Sequence, residues 1–257
     1  MFKKKKLKSL IPSFLFVVII VIAVGLLTLF VFNINKGGKK SADKKVKTES
    51  EEQKLLNENK QAWEKAKNGE EGVLRKIDEA DHIIGKLDAP AQLIIYSDFQ
   101  CPFCADFAKT VQGAINEFSD KIVVAYRHFP LTAIHDNALA AAIASECAAE
   151  QGKFWEMHDK LFYDTETGRM SSTQFKADAK ELKLNQVKFN KCLDTEKYKD
   201  KVMSQMLEGR NAGVTGTPGS FLNGQPLPGA YQYEDFTDSG GYARKGMKSL
   251  IERALNN

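Results

Sequence analysis

Cys101 and Cys104 stand two residues apart, separated by Pro102 and Phe103. Thiols at this spacing can close a small disulfide ring and open it again, which is thiol–disulfide exchange. The flanking residues support that chemistry. Leu93, Ile94, Ile95 and Tyr96 form an apolar run that reads as a buried strand, and residues 97–100 are a short connector. Beyond them Phe107, Val111, Ala114, Ile115 and Phe118 recur at helical spacing. The pattern predicts Cys101 at a helix N-terminus and Cys104 one turn in, on the same side. Unsatisfied N–H groups and the positive end of the helix dipole favour a thiolate at the first position. Pro102 suits the first turn, where its missing N–H costs nothing.

Three other uses of the pair are weaker. A structural zinc site wants a second close pair, and the remaining cysteines, Cys147 and Cys192, lie far apart in the chain. Thiolates also suit Cu(I), but Pro102 stiffens the turn and no methionine or second cysteine cluster lies nearby. A purely structural disulfide fits poorly, because strained, exposed disulfides at helix starts are the labile ones. The expected site needs neither a metal nor an organic cofactor.

The charge is unevenly placed. Eleven of the 37 basic residues and one of the 33 acidic residues precede position 49, which leaves 26 basic and 32 acidic residues after it. The net charge of +4 thus belongs to the N-terminus. No basic stripe interleaved with aromatics follows, so nothing points to nucleic acid. Lys3, Lys4, Lys5, Lys6 and Lys8 fall in a basic segment, 1–13, ahead of nineteen uncharged residues, 14–32, whose one polar member is Thr28. As a helix this run spans about 28 Å, close to the hydrocarbon thickness of a bilayer. The lysines predict a cytoplasmic N-terminus and an exported remainder. A cleaved signal peptide would have a shorter apolar stretch ending in small residues, whereas this one ends Leu29, Phe30, Val31, Phe32, Asn33. The expectation is a single-pass anchor in the cell membrane with an extracytoplasmic domain. All four cysteines would then occupy an oxidising space, where three pairings are open to them.

Residues 33–72 read as a charged tether and stalk, Lys- and Gly-rich at first and then highly charged with sparse apolar positions. The folded part, 73–257, begins with the strand near 92–96 and the helix from Cys101. Residues 121–129 read as a second strand, which implies a parallel pair with a right-handed crossover. Helical periodicity then fills 136–212, an all-helical insertion. Asp136 or Asn137 can cap its first helix. Ser171 to Gln174 carries a capping-box pattern, and Asn185 can cap the helix with Phe189 and Cys192. Strand character returns at Ser220, Phe221 and Leu222, Asn223-Gly224 is a hairpin turn, and Met247, Leu250, Ile251, Ala254 and Leu255 mark a last helix. His128 and His135 read as supports for a strand end and a helix start, His158 as packing on an aromatic face, and His82 as incidental.

This α/β order resembles the DsbA-like branch of the thioredoxin superfamily, in its membrane-tethered form, over about residues 75–257. The resemblance rests on residues 97–104, on Arg127, His128, Phe129, Pro130 and Leu131, on Cys147 with residues 151–155, and on residues 213–218. It implies a thioredoxin fold with a helical insertion. Cys101 would be the exposed nucleophile and Cys104 the buried resolving thiol. Pro102 and Phe103 would tune them. Pro218 would be cis and packed on the active disulfide, with Thr217 backbone groups pairing with an extended substrate. Cys147 and Cys192 would form a structural disulfide. The implied activity is oxidation of thiols in cysteine-containing exported proteins, with a quinone-linked membrane partner to restore the disulfide. Isomerase or reductase action, or a tethered chaperone-like binding module, are the alternatives. Many relatives keep a buried acid six residues before the first cysteine, and here Ile95 stands there.

Overall fold

The structure is a computed structural model that describes residues 74–238 and 240–256. The basic segment, the apolar span and the tether read above at 1–72 lie outside the described residues. Among the described residues no helix is long and apolar enough to cross a membrane.

The elements run His82–Ile84 (β1), Ala91–Ser97 (β2), Pro102–Phe118 (α1), Ile122–His128 (β3), then Ala138–Ala149 (α2), Phe154–Glu166 (α3), Ser172–Glu181 (α4), Gln186–Asp194 (α5) and Lys199–Asn211 (α6). Gly219–Leu222 (β4) and Gln225–Pro228 (β5) follow, then the short pair Phe236–Thr237 (β6) and Ala243–Arg244 (β7), and Met247–Leu255 (α7). The main sheet has the order β1-β3-β2-β4-β5. β2 and β3 pair in parallel, Ser97 opposite His128, and the other neighbours are antiparallel.

β2 is central and buried on both faces, which is why its sequence is apolar without alternation. The pleat still sorts its side chains. Leu93 and Ile95 pack with Phe107, Val111 and Ala114 of α1 and Met247 and Ile251 of α7. Ile94 and Tyr96 face the other way, into a cluster with Phe221, Met206 and Val214. There Gly209 of α6 sits so close that a Cβ would lie 2.6 Å from Tyr96 Cδ1. The β4–β5 turn places Asn223 and Gly224 at φ 48° and 77°, as a tight hairpin requires.

The insertion holds α2 to α6. Ser171 and Asn185 cap α4 and α5 by accepting from the N–H groups of Gln174 and Lys188. Asn137 stands at the start of α2 but makes no side-chain cap; its N–H donates to Gln100 Oε1 at 2.7 Å. α2 is alanine-rich and buried almost all round, so it presents no polar face. Cys147 of α2 and Cys192 of α5 are joined by a disulfide, with their Cα atoms 5.9 Å apart.

That disulfide closes a sequence separation of 45 residues, worth up to about 4 kcal/mol in the chain-entropy model. Replacing both cysteines with Ala is expected to lower the urea unfolding midpoint of the full chain without changing the alkylation rate of Cys101. An unchanged midpoint would show that the bridge adds nothing to stability.

Candidate active site

Cys101 is the N-cap of α1, and its carbonyl accepts from the N–H groups of Cys104 and Ala105 at 3.0 and 3.2 Å. The turn before it is held by Asp98. The Asp98 carbonyl accepts from Cys101 N–H at 3.1 Å, and Asp98 Oδ1 accepts from Gln100 N–H at 2.8 Å. Asp98 Oδ2 accepts from Leu131 N–H at 2.9 Å and meets His135 Nδ1 at 2.7 Å. Asp98 is therefore a loop anchor between the first active-site turn and residues 131–135.

The Thr217-Pro218 peptide is cis. It brings the Thr217 carbonyl to 3.4 Å from Cys101 Sγ, where the thiol can donate to it. A cleft of about 260 Å³ runs beside this loop, lined by Val214, Thr215, Gly216, Pro218, Pro228 and Gly229. Phe103 points outward and is 64% exposed, so an apolar ring stands beside the thiols on the surface.

The expected contrast of an open Cys101 and a closed Cys104 is not one of exposure: the residues are 3% and 2% exposed. The contrast is electrostatic. The Cys101 thiol is lowered to about 6, first by a hydrogen bond from Cys104, which outweighs burial. Thr217 and the backbone N–H groups of Phe103 and Cys104 add to this. The Thr217 hydroxyl is buried with no other partner, so it is available to the sulfur. Burial pushes the Cys104 thiol well above its usual value, and the neighbouring Cys101 pushes it further. One thiol is thus held ionised and the other protonated at neutral pH.

A second polar cluster lies between the sheet and the insertion. Glu146 of α2 accepts from His82 Nε2 at 2.8 Å and His128 Nε2 at 3.0 Å, both on Oε1. Lys201 Nζ reaches Oε2 at 2.7 Å. His82 also stacks on Phe154 with ring centroids 3.5 Å apart. His82 is therefore not incidental: it joins β1 to α2 and α3. Its short strand and isolated position hid this in the sequence. The ligand atoms of His82, His128 and Glu146 lie within 4.8 Å of one another, a spacing that could hold a metal ion. The chain supplies its own cation there in Lys201. Burial would raise the Glu146 carboxyl, but the hydrogen bonds from His128 and His82 win and hold it far below the usual carboxylate range. Burial lowers His128, which stays neutral and serves as a donor.

On the opposite face of β3, Arg127 is fully buried. It donates to both Asp81 oxygens at 2.9 Å, to Tyr96 Oη at 2.9 Å and to Glu208 Oε1 at 2.7 Å. Arg75 joins the same carboxylates at 2.6 and 2.8 Å. Arg127 belongs to a motif visible in the sequence, but its partners do not, since they come from three distant segments.

A family model described as thioredoxin matches residues 77–239, more than half of the chain. The chain belongs to the thioredoxin family. Among solved structures it is similar to oxidised BdbD from Bacillus subtilis, at 22% identity and a TM-score of 0.60, covering 72% of this chain and 97% of that one. It is also similar to alpha-DsbA1 from Wolbachia pipientis, at 21% identity and a TM-score of 0.54, covering 70% and 93%. Its fold is thus of the DsbA type, a thioredoxin fold carrying a helical insertion. Curated relatives include proteins named Na(+)/H(+) antiporter NhaA 1. The one from Mycolicibacterium gilvum is 37% identical over 158 residues, 60% of this chain and 25% of that protein. The one from Salinispora arenicola is 33% identical over 156 residues, 61% and 24%. The chain spans about a quarter of the length of these relatives.

Two measurements check the electrostatics of this thioredoxin-family site. Thiolate absorbance of the reduced chain is expected to titrate near pH 6 and to be lost in Cys101→Ser, with Thr217→Val moving the midpoint upward; a single transition near the free-thiol value would contradict the assignment. Glu146 has a depressed folded pKa, so its contribution is present above the unfolded carboxylate value near 4.5 and is lost as pH falls below it. Glu146→Gln is expected to cost about 1–3 kcal/mol at neutral pH, by taking the ionised acceptor away from the His82 and His128 N–H groups, and to flatten the acid limb of a stability–pH curve. An unaltered acid limb would show that another group governs it.

Proposed function

We propose that this chain is a membrane-anchored thiol–disulfide oxidoreductase acting outside the cytoplasm, and that it works chiefly as an oxidant of protein thiols. The observation that carries this is the opposite tuning of the two thiols, Cys101 lowered to about 6 and Cys104 raised. Stabilising the thiolate stabilises the reduced pair, and a pair stable when reduced takes electrons readily.

In the oxidising direction a substrate thiolate attacks Cys101 Sγ of the Cys101–Cys104 disulfide. That bond breaks, a mixed disulfide forms, and Cys104 leaves as a thiolate that takes up a proton. A second substrate thiolate then attacks the substrate sulfur, and Cys101 leaves as a stabilised thiolate. The substrate loses two electrons as its disulfide forms, and the cysteine pair gains them. The cleft beside Thr217 and Pro218 suits an extended chain carrying the substrate cysteine. The substrates we propose are cysteine-containing exported proteins, and a quinone-linked membrane protein would accept the two electrons. The basic residues and the apolar span at 14–32 support the anchor and its direction. The Cys147–Cys192 disulfide is in keeping with an oxidising compartment.

The purified full chain is expected to oxidise a dithiol peptide stoichiometrically, with Cys101→Ser inactive. Its reduction potential should fall between roughly −270 mV for thioredoxin and roughly −120 mV for DsbA. Phe103 has no charge or N–H to offer the sulfur, so Phe103→His should raise the potential. A potential at or below that of thioredoxin would make the chain a reductase. Peptide binding that survives Cys101→Ser, without turnover in the parent, would make it a binding module. In cell fractions the chain is expected to resist alkaline extraction; soluble protein starting after Asn33 would exclude the anchor.

A further inference from the structure

Oxidant turnover, on the reading above, returns one proton to Cys104 in each cycle, and the reverse reaction removes it. Cys104 is 2% exposed, and its N–H donates to the Cys101 carbonyl. The neighbouring Asp98 carboxylate is engaged by Leu131, His135 and Gln100, and Asp98 meets Cys104 through its backbone N–H. Ile95, on the strand beneath, carries no proton. A thiol at this depth needs another way to exchange with solvent.

The structure holds a cavity at this point, about 100 Å³, whose walls include Ser97, Cys104, Tyr126, His158 and Asp159. It exceeds the roughly 10–15 Å³ that one water needs. Its two ends differ. At the inner end Tyr126 is 2% exposed and its hydroxyl makes no close hydrogen bond, the Ser97 side chain alone acting on it as a donor. A buried hydroxyl left alone costs about 1–3 kcal/mol, and a site that keeps one has a use for it or a water on it. Ser97, 4% exposed, lies beside both Cys104 and Tyr126 and favours the Cys104 thiolate. At the outer end His158 Nδ1 meets Asp159 Oδ1 at 2.8 Å, and Asp159 is 80% exposed. The lining therefore reaches from the buried resolving thiol to an exposed carboxylate; much of it is apolar, with Ser97, Gln112, Tyr126, His158 and Asp159 as its hydrogen-bonding side chains.

We propose that the Tyr126 and Ser97 hydroxyls, bridged by water in this cavity to the His158–Asp159 pair, form the proton path to and from Cys104 Sγ. As Cys104 is released from the disulfide, its sulfur takes a proton from the adjoining hydroxyl or water. The path passes the deficit outward, and solvent refills it at His158 and Asp159. No group in the path changes its net charge over the cycle. In the reverse direction Cys104 gives up its proton along the same path, and its thiolate attacks Cys101 Sγ of the mixed disulfide. Of the other titratable groups, Cys101 acts on Cys104 in the same turn, and the charges of Asp98 and of Glu146 in α2 act on Tyr126.

The test is stopped-flow reaction of the reduced full chain with glutathione disulfide. The first phase depends on glutathione disulfide concentration and reports attack by Cys101. The second does not, and reports attack by Cys104 as it loses its proton. Tyr126→Phe and Ser97→Ala are each expected to slow the second phase at least about tenfold, against the 10²–10⁴ that positioned proton transfer can supply. They should also move its pH dependence upward and change its solvent isotope effect, while the first phase keeps its rate and its pH midpoint. A second phase unchanged in rate and pH profile in both variants overturns the proposal. So does equal slowing of both phases, which marks a structural effect. If the parent chain shows no first phase at all, it is the redox reading that fails, and the path falls with it.

Discussion

A thiolate buried at the start of a helix is the constraint on which the rest of the site depends. An ionised sulfur out of water is unstable unless hydrogen-bond donors surround it. Here they come from the Cys104 thiol, Thr217 and the first N–H groups of α1. Each must be placed to within about 0.5 Å. β2 fixes the origin of the turn, Asp98 fixes its shape, and β4 fixes the loop that ends at Pro218. The neighbouring thiol is then forced the other way, because two adjacent buried sulfurs cannot both ionise. Reactivity at Cys101 and reluctance at Cys104 are two results of one arrangement.

The same cost of buried charge explains how the helical insertion is tied to the sheet. Successive residues of β3 point to opposite faces. Arg127 projects to one face and bonds Asp81, Tyr96 and Glu208, while His128 projects to the other and bonds Glu146. Helix α6 answers both, with Glu208 for the first network and Lys201 for the second. Each network satisfies its charges among groups from distant segments. Removing one member would leave a buried charge without a partner, so the insertion's placement over the sheet is enforced by penalties as much as by contacts.

Much of this was open to inspection in the sequence. The apolar run before Cys101, the helical spacing after it and the hairpin signal at Asn223-Gly224 are local patterns, and they match β2, α1 and the β4–β5 turn. Caps at Ser171 and Asn185 were equally local. The misreadings share a cause. Asn137 makes no side-chain cap, and its N–H is held by a glutamine 37 residues earlier. His82 gained its role from a carboxylate 64 residues away. Cys101, expected to be open, is covered by a loop 116 residues downstream. In each case the deciding partner comes from far along the chain, where periodicity carries no information.

By itself the sequence determined the order of elements, the positions of the two thiols on a helix start, and the kind of chemistry such a pair supports. These follow from backbone periodicity and from the dipole of a single turn, which need only neighbouring residues. Tertiary structure decided which thiol is ionised and by what donors, where Asp98 points, which cysteines bridge α2 and α5, and that a cavity joins Cys104 to the surface. Those properties depend on desolvation and on hydrogen bonds between remote segments. Both exist only when the chain has closed around them.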